Sequence, residues 1–346
     1  MTESIHGRHY EDLRRMVERR LRGLTQRGSP EDLNDACRYV LSAGGKRIRA
    51  VLVLLSCEAV GGNAKQALDA SVALELMHNF TLVHDDIMDH ARSRRGRPTV
   101  HIRWNVNNAL LAGDVLLAMA YAALLRSRTA KLSPLVELFT GALLQVCEGQ
   151  ALDLEFETRA DVSVRDYFRM IGKKTGRLFS AAGELGGLLG GGSPRQVTVL
   201  REFGHHLGRA FQLQDDLLDV TADPSRLGKS IGGDIVERKK TYLLLKAAER
   251  TRGRDRAVVQ VLLRGNRRRA DGGHGAMQQS VATDPREARM IRTVTDIYRR
   301  YGVLKDTERQ VRANTRRAVR ALDSLPRNES AAALRWLSER LVTRPS

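Results

Sequence analysis

Two aspartate clusters of the same pattern lie 130 residues apart in this chain of 346 residues. Each has the form D-D-x-x-D, and the six acids are Asp85, Asp86 and Asp89, then Asp215, Asp216 and Asp219. Residues four apart on a helix share one face, so the outer acids of each cluster project together, which costs roughly 0.2–0.5 kcal/mol in repulsion. Mg²⁺ takes oxygen ligands and keeps waters and substrate phosphates around it. The pattern therefore predicts two carboxylate faces that hold Mg²⁺ around a diphosphate.

The ordinary alternative is a pair of acidic helix ends in solvent. Both clusters instead follow apolar stretches, at residues 80–83 and 210–213, and each carries two apolar residues between its acids. This composition is typical of the inner part of a helix rather than of a solvated end. One such cluster would be a weak signal, whereas two with cationic motifs beside them favour a functional site.

Several short motifs supply the positive side chains that a diphosphate needs. Residues 44–49 read GGKRIR and place three cations at a glycine turn that enters a helix, which is a natural anion site. Arg94 and Arg95 follow the first aspartate cluster in a basic loop over 92–98. Lys-Thr pairs occur at 174–175 and 240–241, and Lys229 precedes the second pair.

Helical periodicity dominates the segments that carry these motifs. The first cluster ends a long predicted helix over 64–90, and the second lies near the end of a helix over 194–221. The Lys173-Lys174-Thr175 motif falls within a continuous predicted helix over 164–189. Only 5 % of residues are aromatic, and we find neither alternating strands nor a repeat. The predicted fold class is all-α.

The composition of the chain limits the classes of binding partner and the cellular compartment that we expect. The net charge of +18 brings nucleic acid or a membrane surface into consideration, but the arginines are spread among acids, so we interpret them as a solvated surface. We interpret residues 252–275 as a basic surface loop. Three widely spaced cysteines argue against disulfides or zinc and favour a reducing compartment. With a polar N-terminus and an apolar stretch that is interrupted at Gly113, we expect a cytoplasmic protein without stable membrane insertion.

Seven motifs in one order give the chain a resemblance to the trans-isoprenyl diphosphate synthases, the polyprenyl synthetase family. They lie within residues 40–250 and read GGKRIR, HNFTLVHDDIMD, RRGRPT, GQALDLEFE, KKTG, FQLQDDLLD and GKSIGGDIVERKKT. The resemblance is greatest to short-chain geranylgeranyl diphosphate synthases. It implies an isoprenoid-synthase-type helical bundle around a deep central cavity. It also implies that residues 1–346 form a single domain and that the protein is a homodimer.

The resemblance implies a Mg²⁺-dependent prenyltransferase that joins isopentenyl diphosphate to an allylic diphosphate, with three Mg²⁺ held by the two aspartate motifs. The implied metal ligands are Asp85, Asp89, Asp215 and Asp219. Asp86 and Asp216 support them, and Lys174 completes the implied catalytic set. The implied contacts to isopentenyl diphosphate are Lys46, Arg49, His78 and Arg95. Those implied to the allylic diphosphate are Arg94, Lys174, Thr175, Gln212, Lys229 and Lys239.

The product length should depend on residues about one helical turn before Asp85, because the growing chain extends along that helix. At a rise of 1.5 Å per residue, such positions lie roughly 5–8 Å deeper. Here they are Phe80 and Thr81. In the family, this pair resembles the C20 type, the geranylgeranyl diphosphate synthases. A farnesyl (C15) or C25 product remains an alternative.

Three other functions remain open from the sequence. A terpene cyclase of the same fold would ionise an allylic diphosphate but would not need Lys46, Arg49, His78 and Arg95. A non-catalytic subunit would not need both aspartate motifs intact. A nucleic-acid binder, suggested only by the net charge, would bind more weakly as salt increases and would tolerate alanine at Asp85 and Asp215.

Overall fold

The computed structural model describes residues 4–24, 30–222, 232–264 and 284–342, and helices dominate these ranges, so the all-α prediction is confirmed. The first ten α-helices are α1 Ile5–Arg22, α2 Glu31–Ser42, α3 Ile48–Ala59, α4 Ala64–Met88, α5 Val100–Arg103, α6 Val106–Leu124, α7 Leu132–Thr158, α8 Val164–Ile171, α9 Arg177–Leu189 and α10 Pro194–Thr221. Six more follow in the described part: α11 Gly233–Val236, α12 Tyr242–Arg250, α13 Gly253–Leu263, α14 Pro285–Arg300, α15 Val303–Ala321 and α16 Glu329–Val342.

The predicted helix over 164–189 is interrupted. α8 and α9 are separated by a π-helical turn, Gly172–Gly176, which contains Lys173, Lys174 and Thr175. The periodicity of the apolar residues carries across such a turn, so the sequence pattern did not reveal it. Single π turns inside α-helices are frequent at functional sites because they re-aim the side chains that they carry.

The basic loop after the first aspartate cluster forms a small hairpin. β1 (Ser93–Arg94) pairs antiparallel with β2 (Arg97–Pro98). Arg95 and Gly96 make the turn at φ values of 52° and 73°, the left-handed backbone that a two-residue hairpin turn requires. The hairpin therefore holds Arg94 and Arg95 in defined directions.

The interpretation of residues 252–275 as a loop is wrong in its first part. α13 covers Gly253–Leu263, with Val259 and Leu262 buried against neighbouring helices. The arginines around these apolar residues masked the short amphipathic face. Residues 265–275 lie outside the described residues.

The chain divides into two compact units, and the first comprises residues 1–144, 177–205 and 318–339. Its centre is α4, which packs against α3, α6 and α9. α3 is apolar on all sides and almost wholly buried, as expected for a helix within a core. α4 begins with a capping box between Asn63 and Gln66 and is continuously buried from Ala70 to Met77, beyond which buried residues alternate with partly exposed ones.

The second unit comprises residues 145–176, 206–317 and 340–346. One apolar cluster includes Leu217 and Tyr298, and another includes Tyr167, Leu213 and Tyr242. Leu213 and Leu217 are four residues apart on one face of α10 and are buried in these two clusters, so they anchor the part of the helix that carries the second aspartate cluster. The expectation of a single domain stays a prediction.

By length and composition alone, one helix in the described ranges, α6, is apolar enough to cross a membrane, a property that core helices of soluble proteins share. About a third of its most apolar window, 33 %, is buried within the chain. Its exposed apolar residues include Val106, Leu110 and Leu111.

Candidate active site

The first aspartate cluster occupies the last turn of α4. Asp85 is partly buried, Asp86 is buried, and Asp89 ends the helix, where its backbone N–H donates to the Asp85 carbonyl at 2.8 Å. Asp89 keeps a helical backbone, with φ −82° and ψ −4°. The predicted i, i+4 relation of Asp85 and Asp89 is therefore present.

Asp86 forms an ion pair with Arg94 of the hairpin. The Arg94 Nε donates to Asp86 Oδ1 at 2.8 Å, and a second guanidinium nitrogen lies 2.7 Å from the same oxygen. The two contacts orient the guanidinium as well as pairing the charges. Two residues that were assigned to different roles, one to metal support and one to the allylic diphosphate, thus touch each other.

Arg95 packs on the glycine turn that carries Lys46. Its guanidinium donates to the Gly44 carbonyl, and a Cβ on Gly45 would lie 3.1 Å from the Arg95 guanidinium carbon. A side chain at residue 45 would therefore press on Arg95. Burial, followed by the nearby Arg47 charge, lowers the pKa of Arg95. The turn and the hairpin together bring the predicted cations Lys46 and Arg95 into one region.

His78 and Arg49 also come together. Arg49 donates to His78 Nε2 at 3.1 Å and lies over the Phe179 ring at 4.8 Å from its centroid. Arginine has only donors, so Nε2 must accept and the ring proton must lie on Nδ1. Burial, then the Arg49 charge, lowers the pKa of His78 well below its usual value. His78 is therefore neutral near pH 7.

Arg47, the third cation of the GGKRIR motif, has a structural role. It is 5 % exposed and donates to Glu75 at 2.8 Å and to the Leu41 carbonyl at 2.8 Å. Removing one partner of such a buried ion pair leaves an uncompensated charge, which costs about 3–5 kcal/mol. Arg47 thus fixes the start of α3, which presents Arg49.

Phe80 and Thr81 lie on α4 between His78 and the first cluster, and both are partly buried. Thr81 Oγ1 donates to the His78 carbonyl at 2.8 Å. The Phe80 ring meets the His84 ring edge-on, with centroids 4.7 Å apart. His84 in turn contacts the carbonyl oxygen of Leu110 in α6.

The second aspartate cluster is organised around Asp216, which is 4 % exposed. The Tyr167 hydroxyl donates to Asp216 Oδ2 at 2.6 Å, and the Gln212 amide donates to Oδ1 at 2.9 Å. Thr175 Oγ1 donates to Gln212 Oε1 at 2.8 Å. Three predicted residues, Thr175, Gln212 and Asp216, thus form one hydrogen-bonded chain that Tyr167 completes.

Burial raises the pKa of Asp216 to about 6, although the hydrogen bonds from Tyr167 and Gln212 act in the opposite direction. Burial also raises the pKa of Asp219, and that of Tyr167 well above its usual value. Tyr167 therefore stays protonated and remains a donor. Ionising these buried acids costs free energy when no cation is near. A bound cation lowers that cost, so the environment suits a metal ion.

Asp219 contacts the short segment that precedes α12. Its Oδ2 accepts from the Asp234 backbone N–H at 3.0 Å, and its carbonyl accepts from Gly232 at 2.7 Å. Gly232 has φ 78° and is the N-cap residue directly before α11. Burial raises the pKa of Asp234 well above its usual value, so this acid joins the same electrostatic environment.

Lys174 is held by α7. Its Nζ donates to Asp153 Oδ2 at 2.5 Å. A Cβ on Gly149 would lie 2.3 Å from the Lys174 backbone nitrogen, so only glycine lets the π-helical turn approach this closely. Lys239 pairs with Glu237 at 2.9 Å and lies 3.8 Å from Asp234. Lys229 lies outside the described residues.

The donor set fits Mg²⁺. In the ranges that the structure covers, no three His, Cys, Asp or Glu side chains converge into a ready-made metal cage. Mg²⁺ does not need one, because it binds through one or two carboxylates and completes its octahedron with waters and substrate phosphates. The carboxylates of each cluster are therefore suited to metal that arrives with a diphosphate.

Sequence reasoning did not select Tyr167, Asp153, Asp234 or His84. Asp153, Asp234 and His84 lie inside the motifs that carry the family resemblance, so their position was a usable signal. Tyr167 carries no such signal, because a lone tyrosine on an apolar helix is ordinarily a core residue.

The whole chain is similar to curated prenyl synthases. A short chain isoprenyl diphosphate synthase of Methanothermobacter thermautotrophicus is 36 % identical over 330 residues, covering 95 % of each chain. A geranylgeranyl diphosphate synthase of Methanosarcina mazei is 44 % identical over 223 residues, covering 64 % of this chain and 69 % of that protein. A geranylfarnesyl diphosphate synthase of Natronomonas pharaonis is 40 % identical over 239 residues, covering 64 % and 70 %.

The fold agrees with these relatives. The crystal structure of a geranylgeranyl pyrophosphate synthetase from Pyrococcus horikoshii Ot3 superposes with a TM-score of 0.87, at 34 % identity and 97 % coverage of each chain. The predicted isoprenoid-synthase fold is therefore confirmed. Residues 30–278 match the sequence profile of the family described as Polyprenyl synthetase. The chain belongs to the polyprenyl synthetase family, whose members are Mg²⁺-using prenyltransferases that join isopentenyl and allylic diphosphates.

Proposed function

We propose that this chain elongates allylic diphosphates with isopentenyl diphosphate up to geranylgeranyl diphosphate, C20. The observation that carries the proposal is the hydrogen-bonded chain from Thr175 through Gln212 to Asp216, with Lys174 on the adjoining π-helical turn. It joins residues from separate motifs into one set of donors and carboxylates, as a diphosphate with its metal ions requires.

Both aspartate clusters bind Mg²⁺ in this proposal, three ions per active site. The proposed ligands are Asp85, Asp89, Asp215 and Asp219. Asp86 orients Arg94, and Asp216 orients Gln212, through the hydrogen bonds that they accept. When bound, Mg²⁺ neutralises the charge that develops on the departing diphosphate.

Two groups of side chains bind the substrates. The allylic diphosphate contacts are Arg94, Lys174, Thr175, Gln212, Lys229 and Lys239. Lys174 pairs with Asp153 and Lys239 with Glu237, so in this proposal each exchanges a carboxylate for a phosphate oxygen when the diphosphate binds. The isopentenyl diphosphate contacts are Lys46, Arg49, His78 and Arg95. A neutral His78 suits hydrogen bonding without adding a further charge to three cations.

The reaction breaks the bond between the allylic carbon and the diphosphate oxygen, and the electron pair leaves with the diphosphate. The cationic side chains stabilise that leaving group. The double bond of isopentenyl diphosphate then attacks the allylic cation, and loss of a proton restores a double bond. An apolar cavity protects the cation from water.

The C20 length is supported by Phe80 and Thr81 and by relatives named for geranylgeranyl products. Relatives of comparable identity are named for other lengths, so family membership does not determine the product. In the proposal, the Phe80 ring blocks the path of the growing chain beyond C20.

We propose a cytoplasmic, single-domain homodimer that binds no nucleic acid. The exposed apolar residues of α6 support this proposal, because a second copy of the chain would bury them in a dimer interface. Replacing Leu111, which is 52 % exposed, by arginine should then shift the sedimentation coefficient toward a monomer.

The test of function uses the purified chain with radiolabelled isopentenyl diphosphate, Mg²⁺ and C5, C10 or C15 allylic diphosphates. Products are dephosphorylated and separated by chain length. We expect C20 as the longest main product and none with Asp85→Ala. Absence of elongation from every primer would refute the prenyltransferase activity, whereas a main product of C15 or C25 would refute only the length.

A further inference from the structure

His84 lies between Phe80 and the neighbouring helix α6. It is one turn after Phe80 on α4, and the two rings meet edge-on at 65° with centroids 4.7 Å apart. Such a contact favours one ring orientation over the alternatives, because the edge of one ring is positive and the face of the other is negative. The position of the Phe80 ring therefore depends on where the His84 ring lies.

The His84 ring is held from α6 rather than from its own helix. Its Nε2 lies 3.2 Å from the Leu110 carbonyl oxygen. A carbonyl only accepts, so Nε2 carries the hydrogen and donates it. Asp114 Oδ1 is 3.9 Å from the same nitrogen, too far for a hydrogen bond but close enough to favour a donor there.

Gly113 creates the space that the His84 ring fills. A Cβ on Gly113 would lie 2.2 Å from His84 Nε2 and 2.5 Å from its Cδ2, closer than any real contact. Glycine in the interior of a helix is less stable than alanine, so helix formation alone does not favour glycine at this buried position. Gly113 contributes the space that the His84 ring occupies.

We propose that His84 and Gly113 determine the product length by holding the Phe80 ring across the path of the growing chain. The inference rests on the proposed function, in which Phe80 ends elongation at C20. Gly113 admits the His84 ring, the Leu110 carbonyl orients it, and the ring braces Phe80. His84 and Gly113 are positioning residues, since neither needs to touch the substrate.

The decisive variant is Gly113→Ala, which lies on a different helix from the metal ligands. The added methyl group meets the end of the His84 side chain, which can rotate away, so the protein should fold. We expect the main product to shift from C20 toward C25 and longer, with primer consumption maintained. The readout is the chain-length distribution, which a loss of stability alone would not lengthen.

Gly141→Ala is the matched control. Gly141 lies on α7 in the same unit, and a Cβ there meets nothing within 4 Å. This variant makes the same chemical change in a helix and should keep C20. His84→Ala, on α4, removes the ring that contacts Phe80 and should lengthen the product as Gly113→Ala does. If one of the two variants fails to fold, the other still tests the proposal.

The double variant Phe80→Ala with Gly113→Ala tests the route of the effect. If Gly113 acts through Phe80, the double variant makes the same products as Phe80→Ala alone. Further lengthening in the double variant, or a shorter product from Gly113→Ala, would overturn the inference.

The outcomes also separate the inference from the proposal beneath it. If Phe80→Ala itself keeps C20, the proposed role of Phe80 fails. If Phe80→Ala lengthens the product while Gly113→Ala and His84→Ala keep C20, only the bracing by His84 and Gly113 is wrong.

Discussion

The two aspartate clusters share one sequence pattern but have different surroundings. In the first, the middle acid Asp86 is paired with a full positive charge, the Arg94 guanidinium, at 2.7 and 2.8 Å. In the second, the middle acid Asp216 accepts hydrogen bonds from the neutral Tyr167 hydroxyl and Gln212 amide. Side chains from other elements make this difference, so the D-D-x-x-D pattern alone does not contain it.

The difference matters because a buried carboxylate whose partners in the described part of the chain are neutral donors is costly to ionise. This burial is the first cause of the raised pKa of Asp216, about 6. The second cluster should therefore depend more on bound Mg²⁺ for its charge state, whereas the first already has a cation beside its middle acid. The following four predictions test this contrast.

Alanine at a metal ligand of either cluster should have the largest effect. We expect Asp85→Ala and Asp219→Ala each to lower kcat/KM on the order of 10³-fold, because each removes electrostatic stabilisation of the departing diphosphate. Asp161→Ala, at a side chain that is 81 % exposed, is the control and should be near wild type. A large loss at one cluster and near-normal activity at the other would show that only one cluster binds catalytic metal.

Tyr167→Phe should weaken Mg²⁺ binding at the second cluster by roughly 10–100-fold, the usual effect of losing an outer group of a metal site, because Tyr167 holds Asp216, the acid that supports the ligands Asp215 and Asp219. The measurements are the Mg²⁺ concentration for half-maximal rate and the Mg²⁺-dependent rise in Tm without substrate. Tyr242→Phe is a matched control, because Tyr242 is also buried in this unit and donates to Asp306 at 2.7 Å. Equal Mg²⁺ requirements in both variants would contradict a positioning role for Tyr167.

Arg94→Gln should act mainly on the allylic substrate. Loss of a charge-assisted contact to the diphosphate should raise KM for the allylic diphosphate about tenfold, with a smaller change in kcat. Arg97→Gln, three residues further along the same hairpin, should leave KM unchanged. If Arg94→Gln instead lowers kcat alone, its role is to orient Asp86 rather than to bind substrate.

The smallest effect concerns pH. A raised carboxyl pKa adds stability while the acid is protonated, and that stability is lost as pH rises through about 6 for Asp216. A Mg²⁺ ion held by the neighbouring ligands favours the ionised form of Asp216 electrostatically, so the Mg²⁺-dependent rise in Tm should be small near pH 5 and larger near pH 8. Asp216→Asn should flatten this dependence. A wild-type profile that does not change between these pH values would contradict the assigned pKa.

Sequence patterns located most of the residues of the candidate site, but not the contacts between them. The aspartate clusters, the cationic motifs and the helices that carry them follow from spacing and periodicity. The π-helical turn at Gly172–Gly176 could not be predicted, because it leaves the apolar pattern unchanged. Arg47 could not be separated from Lys46 and Arg49, because its buried partner Glu75 is 28 residues away.

The sequence by itself determined the family, the all-α class and the identity of the acids and cations, since these depend on residue types and on local periodicity. Only the tertiary structure decided which charges are paired, which acid is buried among neutral donors, and which ring braces Phe80. These properties arise from contacts between helices that are distant in the chain. His84 and Gly113, 29 positions apart, become partners only when α4 packs against α6.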